Sequence, residues 1–332
     1  MKKAVWGVLG TARIAAQKVI PAMQKSPWCE VRAIASRSPS AARAAADALG
    51  IPVAHGSYEA LLADPEIEAV YDPLPNHLHV ATTLAAARAG KHVLCEKPIA
   101  LDAQEAARLR EVAGEVRVME AFMVRFHPQW QRVRELVRAG EVGRAMAVQV
   151  FFSFLNEDVS NIRNQLQYGG GSVYDVGCYA IVSARWVFEA EARRAVALVD
   201  RDPRFGTDRM TSALVDFGEG RHLGFTVSTQ CVRFQRVEVC GPRGRIEVRV
   251  PFNAPQGGAT RLLLDDGAEL DDAAATVETI PPCDQYTLEA EAFSRAVRGE
   301  IELPYGVEDA VANMRVIDAL FRSEKSGRWE DV

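Results

Sequence analysis

The stretch HVLCEKPIA, residues 92–100, sets Glu96 and Lys97 directly behind a short apolar run and stops at Pro98. By residue type alone two readings stand: a solvated turn, or a lysine aimed into a cleft where it could move a proton. A second group lies in GGGSVYDVGCYAI, residues 169–181. Three glycines let the backbone pass close to a ligand, and Asp175 and Tyr179, four apart on the helix that follows, share one face. A phenol and a carboxylate with a lysine form an acid/base set suited to a hydroxyl whose carbon exchanges hydride. The competing reading is a packed helix with a satisfied aspartate and a buried tyrosine.

Two further stretches suit a nucleotide. GVLGTARIA follows the first apolar run and opens a helical pattern. A dinucleotide fingerprint needs a tight turn there, with helix amides facing a pyrophosphate. The frame is Gly10, Ala12 and Ala15, with Ala12 where a second glycine is expected, so an ordinary strand-to-helix turn is the alternative. Thr11, Arg13 and Ile14 complete the expected turn. At the end of the second strand, ASRSPSAAR offers Ser36, Arg37 and Ser38 and no carboxylate. A guanidinium and two hydroxyls suit an adenosine 2'-phosphate, whereas a free 2'-hydroxyl calls for an acid; the alternative is a solvated loop in which Ser38 precedes a helix. The expected cofactor is therefore NADP rather than NAD.

The elements that would position these residues follow from periodicity. KAVWGVLG, CEVRAIAS, IEAVYDPL, HVLCE and VRVMEA read as buried strands, with a weaker one near 51–54. Alanine-rich helical segments alternate with them, including DAQEAARLREVAG, which is the pattern of a doubly wound parallel sheet. After about residue 125 one helix, Pro128–Ala139, is followed by period-2 strands in RAMAVQVFFSF, RRAVALVD, MTSALVDFG, RHLGFTVSTQ, RVEVCG and RIEVRV. Helices return at 173–188, 284–299 and 307–322. The expected class is α/β: a nucleotide-binding Rossmann domain over 1–122, and over 123–332 an α+β domain with a large, mostly antiparallel open sheet, its last helix packing back on the first domain. The open sheet leaves apolar residues on both faces, which predicts a homodimer paired through it.

Ligands of an open parallel sheet bind outside the carboxyl ends of its strands, and there lie both CEKPIA and DPLPNHLH, residues 72–79. In the latter, Asn76 is placed to cap the following helix. His77 and His79, two apart, point different ways on a helix and make no metal pair, so no metal is expected.

Composition sets the boundaries. The 332 residues, 48% hydrophobic and 25% charged, suffice for two cores. A net charge of -5 with no long run of one sign gives no footprint for nucleic acid or a membrane surface. Six scattered cysteines without C-x-x-C spacing read as reduced thiols, and no apolar run is long enough to span a bilayer. A cytoplasmic protein acting on a small polar molecule is the expectation.

Taken together, GVLGTARIA, PLPNHLH, GKHVLCEKPIA, EAFMVRFHPQ and GGGSVYDVGCYAI resemble the family of glucose-fructose oxidoreductase, inositol dehydrogenase and rhizopine catabolism proteins. The chain is most similar to the branch with NADP-dependent D-xylose and other aldose dehydrogenases and dimeric dihydrodiol dehydrogenase. The resemblance implies that Lys97 faces the nicotinamide, that Glu96 helps hold site and cofactor, and that Pro98 fixes the turn, often as a cis peptide. It places Leu74, Pro75, Asn76 and His79 on the cofactor side, and Asp175, Tyr179 and Arg163 of NIRN on the substrate side. Arg125 is placed near the cofactor, although Val124 replaces the family's usual tyrosine; His127 reads as structural. The implied reaction is oxidation of an aldose to a lactone with NADP. The alternatives are a keto-sugar, dicarbonyl or dihydrodiol in the same site, or an NADP-binding sensor without turnover.

Overall fold

The computed structural model describes residues 2–332. The chain divides into two compact units, one built from residues up to Met123 together with Asp284–Val311, the other from Val124–Cys283 and Ala312–Val332.

The first unit is a six-stranded sheet in the order β3-β2-β1-β4-β5-β6. Its strands are β1 (Ala4–Leu9), β2 (Cys29–Ala35), β3 (Val53–His55), β4 (Ala69–Asp72), β5 (His92–Glu96) and β6 (Val118–Ala121). Every pairing is parallel. Helices cover both faces of such a sheet, which is why β4 and β6 are buried along their whole length. The strand order reverses between β1 and β4, so ligands are expected at the carboxyl ends of these strands. Helix Gln285–Val297 packs on β1, where the Trp6 ring lies 5.4 Å from that of Phe293 and the Trp6 indole N–H donates to Ser294 Oγ at 3.0 Å. The helix expected over 102–114 is shorter, running from Ala103 to Ala107 before a 3-10 turn at Arg108–Glu111.

The second unit is a nine-stranded sheet ordered β14-β13-β12-β11-β7-β10-β9-β8-β15. It contains β7 (Ala147–Leu155), β8 (Arg194–Arg201), β9 (Asp208–Asp216), β10 (His222–Ser228), β11 (Gln230–Gly241), β12 (Gly244–Val248), β13 (Thr260–Asp265), β14 (Thr276–Ile280) and β15 (Glu330–Asp331). The β7–β10 pair is parallel and the others are antiparallel. Val148, Val150 and Phe152 of β7 face the helices and are buried. Phe151 on the opposite face is 37% exposed. All six cysteines are free thiols, and among the described residues no helix is long and apolar enough to cross a membrane.

Candidate active site

In the first unit, β1 is followed by Gly10, whose φ of +87° is open to glycine but strained for other residues. Space is tight as well: a Cβ there would lie 2.9 Å from a terminal methyl of Leu74, which would have to shift. A helix over 13–25 follows, π-wound at Ala15–Val19 and α-helical at Ile20–Lys25. The widened turn precedes Pro21, which has no N–H to donate into a regular helix. Thr11, Ala12, Arg13 and Ile14 thus form the turn and the first residues of a helix that presents its N-terminus.

At the end of β2, Ser36 Oγ accepts from the Ser38 amide at 3.2 Å, and Ser38 Oγ caps helix Pro39–Leu49 by accepting from the Ala41 amide at 3.3 Å. Arg37 between them is exposed and has no carboxylate partner among the described residues. Its side-chain contact is with the Tyr58 phenol, a neutral partner that leaves the guanidinium charge uncompensated. Residue-type reasoning missed Tyr58, which follows β3 and reaches Arg37 because β2 and β3 are adjacent.

The Lys97 turn is braced on three sides. The Lys97–Pro98 peptide is cis. Glu96 accepts from the Tyr71 phenol at 2.6 Å, and Glu120 accepts from the Ile99 amide at 2.8 Å. His79 is wholly buried, with Nδ1 2.8 Å from the Pro98 carbonyl and Nε2 2.6 Å from that of Leu74. It ties the two strand-end loops together. Burial holds its pKa down at about 4 in spite of the two carbonyl partners, so the ring is neutral and donates through one nitrogen at a time. Lys97 itself is half-buried. Asn76 differs from expectation: it opens a 3-10 turn, Asn76–Leu78, and helix His79–Arg88 begins after Leu78 without a side-chain cap. The extended Pro75 followed by this turn places Asn76 two residues ahead of the cap position, which Leu78 occupies.

Asp72, at the end of β4, is wholly buried; its Oδ1 accepts from the Leu74 amide at 3.1 Å and its Oδ2 has no hydrogen-bond partner among the described residues. Burial, with a smaller contribution from Glu96, raises its pKa from 3.8 to about 7. The folded protein therefore binds this proton more tightly than the unfolded chain, and stability is lost as pH rises from about 4 through about 7. At about 1.4 kcal/mol per unit, the cost nears about 4 kcal/mol above pH 7. Asp72→Asn, which keeps an oxygen for Leu74, is expected to stabilise more at pH 8 than at pH 5, by about 2 kcal/mol or more. Denaturant unfolding at the two pH values checks this; equal effects at both would contradict it.

In the second unit, Arg163 Nε donates to Asp175 Oδ2 at 2.7 Å. The Arg163 carbonyl accepts from the Gly171 amide at 2.9 Å. A Cβ on Gly170 would come 2.4 Å from that carbonyl, so the loop admits only glycine there. The next helix is π-wound over Val173–Gly177 and α-helical over Cys178–Phe188. A π turn keeps residues four apart on nearly one face, so Asp175 and Tyr179 remain side by side. The Tyr179 ring packs edge-on to Phe152 at 5.9 Å and against Phe252 at 5.3 Å. Arg125 is buried in the turn Met123–Phe126, and its carbonyl accepts from Gln131. His127 caps helix Pro128–Ala139, Nδ1 accepting from the Gln129 amide at 3.1 Å, and burial lowers its pKa to about 4; its role is structural.

Residues 5–126 match the family described as an oxidoreductase family with an NAD-binding Rossmann fold, and residues 130–247 match the GFO/IDH/MocA C-terminal domain. The chain belongs to the GFO/IDH/MocA oxidoreductase family. An uncharacterized oxidoreductase, ORF334 of Rhizobium meliloti, is 48% identical over 330 residues, covering 98% of each chain. D-xylose 1-dehydrogenase (NADP(+)) 2 of Haloferax volcanii is 41% identical over 326 residues, covering 97% of this chain and 98% of its own. The 3-ketoreductase KijD10 of Actinomadura kijaniata, crystallised with NADP and TDP-benzene, superimposes with a TM-score of 0.90 at 29% identity over 97% of this chain and 98% of that one. The first unit is thus the GFO/IDH/MocA dinucleotide-binding domain, and the Gly10 turn and the helix behind it fit a pyrophosphate.

Proposed function

We propose that the chain oxidises the hydroxyl-bearing carbon of a pyranose, an aldose in the lead case, with NADP. The observation that carries this reading is Arg37, exposed at the end of β2 without a carboxylate partner among the described residues. It is supported by the 41% identity to a D-xylose 1-dehydrogenase (NADP(+)). The turn at Gly10, Thr11, Ala12, Arg13 and Ile14 would hold the pyrophosphate. Ser36, Arg37 and Ser38 would hold the 2'-phosphate. Leu74, Pro75, Asn76, Glu96 and Arg125 would serve the rest of the cofactor, with His79 acting through the two loops it joins. Bound NADP supplies the hydride acceptor.

The chain's own residues handle the proton. Lys97 and Tyr179 remove it from the reacting hydroxyl as the carbon is oxidised, and Asp175, held by Arg163, orients that hydroxyl. A keto-sugar reduction in the same site is the second reading, favoured by the likeness to a 3-ketoreductase. Incubating the protein with NADP and a panel of aldoses headed by D-xylose, and following nicotinamide reduction, tests the first reading. NADPH formation with a lactone product supports it; turnover only with NADPH and keto-sugars would replace it with the second.

We also propose a homodimer through the open face of the nine-stranded sheet. Gln149, Phe151, Leu198, Leu214, Thr226 and Phe234 line a trough of about 700 Å³ there, with Leu198 77% and Leu214 51% exposed. An apolar face of this kind is rarely left to water. Light scattering at micromolar concentration should give a dimer for the wild type and a monomer for Leu198→Asp/Leu214→Asp. A wild-type monomer would contradict the assignment.

A further inference from the structure

The helix that carries Asp175 and Tyr179 takes no cap from the residue that precedes it: Ser172 makes no side-chain cap bond. Its free N-terminal amides need an acceptor. That acceptor arrives from β9, 35 residues onward, where Asp208 is buried to 1% exposure. Its Oδ2 accepts from the Val173 amide at 2.7 Å and from Ser172 Oγ at 2.8 Å. Its Oδ1 lies so close to Gly171 that a Cβ there would be 1.9 Å away, and Gly171 has a φ of +123°. The Gly171 carbonyl in turn accepts from the Asp175 amide at 3.1 Å. Gly171, Ser172 and Val173 are therefore seated on one carboxylate, and the orientation of Asp175 and Tyr179 depends on that seat.

We infer that Asp208 is a positioning residue for the proposed reaction, fixing the first turn of the Asp175–Tyr179 helix without touching substrate. The inference rests on the assignment of Asp175 and Tyr179 to the substrate. Burial raises the Asp208 pKa to about 6, so near neutral pH an ionised group is kept where it costs stability. A residue present only for stability would be better as a neutral isostere. Displacing a reacting group by about 1 Å can cost about 100-fold in rate, and this sets the expected size of the effect.

The test uses the full chain with D-xylose and NADP and three variants. Asp208→Leu keeps the branched shape, at a larger volume, and removes the acceptor; kcat should fall about 100-fold while the NADPH Kd stays within about 2-fold. Asp208→Asn keeps one oxygen able to accept from both Val173 and Ser172, so it should recover at least about 10-fold of that loss and should not lower Tm at pH 8. Ser172→Ala, which removes one of the two bonds, should cost about 10-fold in kcat and answers the question if the leucine variant does not fold. Ser172→Ala or folded Asp208→Leu turning over within 2-fold of the wild type would overturn the inference. So would an asparagine variant as impaired as the leucine one, or rate losses that follow only the fraction unfolded. Asp175→Asn and Tyr179→Phe are measured alongside: if these retain full turnover, the site assignment itself fails, whereas their loss with an intact Asp208→Leu removes Asp208 alone.

Discussion

Lys97→Met and Tyr179→Phe are each expected to lower kcat by about 100-fold or more, the range for a positioned acid/base group. The double variant is expected to be little worse than the poorer single one. Groups that handle one proton together are strongly non-additive, and the proposal gives both residues the same hydroxyl proton. The supports differ. Lys97 leaves a turn held by Glu120, His79 and the Tyr71–Glu96 bond, whereas Tyr179 stands on a helix seated at its start by Asp208. NADP binding should survive Tyr179→Phe, because that residue is assigned to the substrate. Steady-state kinetics with equilibrium binding of NADPH checks all of this. Losses that multiply in full would show two separate roles, and normal turnover in either single variant would remove that residue from the mechanism.

Cofactor choice gives the second large effect. Arg37→Ala should weaken NADP by about 1 to 3 kcal/mol, the loss of a charge-assisted contact, and should leave NAD nearly unchanged. Because Arg37 meets the neutral Tyr58 phenol rather than a carboxylate, its removal frees no buried acid that would complicate the comparison. Titration of protein fluorescence with each nucleotide measures the difference; equal weakening of both would contradict the 2'-phosphate assignment.

Much of this was legible in the sequence, for identifiable reasons. β1, β2, β4, β5 and β6 are short apolar runs bounded by glycine, proline or polar residues, and burial makes them stand out, whereas the three residues of β3 are all partly exposed and its signal is weak. Helix Pro128–Ala139 follows its capping histidine and ends at Gly140, whose φ is +76°. β13 and β14 went unseen because they flank DDGAELDDAAA, and four of the five residues of β14 are at least partly exposed, so no alternation marks it. The π turns leave no periodic trace either.

For the site, residue types pointed to the groups that could act on a ligand and not to those that hold them. Gly10, Arg37, Lys97, Asp175 and Tyr179 announce themselves by motif. His79 holds Pro98 from 19 positions away, Glu120 holds Ile99 from 21, and Asp208 holds Val173 from 35. Contacts at such separations are made by topology, which a single sequence reveals only after its strands are ordered. Asn76 illustrates the converse: its type suits a helix cap, but the 3-10 turn places the helix start beyond its reach.

The most direct test of the central claim is hydride transfer itself. With a deuterium label on the anomeric carbon of an accepted aldose, the account predicts that NADP becomes deuterated NADPH while the sugar becomes its lactone, and that Arg37→Ala loses this with NADP far more than with NAD. NADP that binds tightly yet acquires no label from any aldose, and gives none up to any keto-sugar, would contradict it.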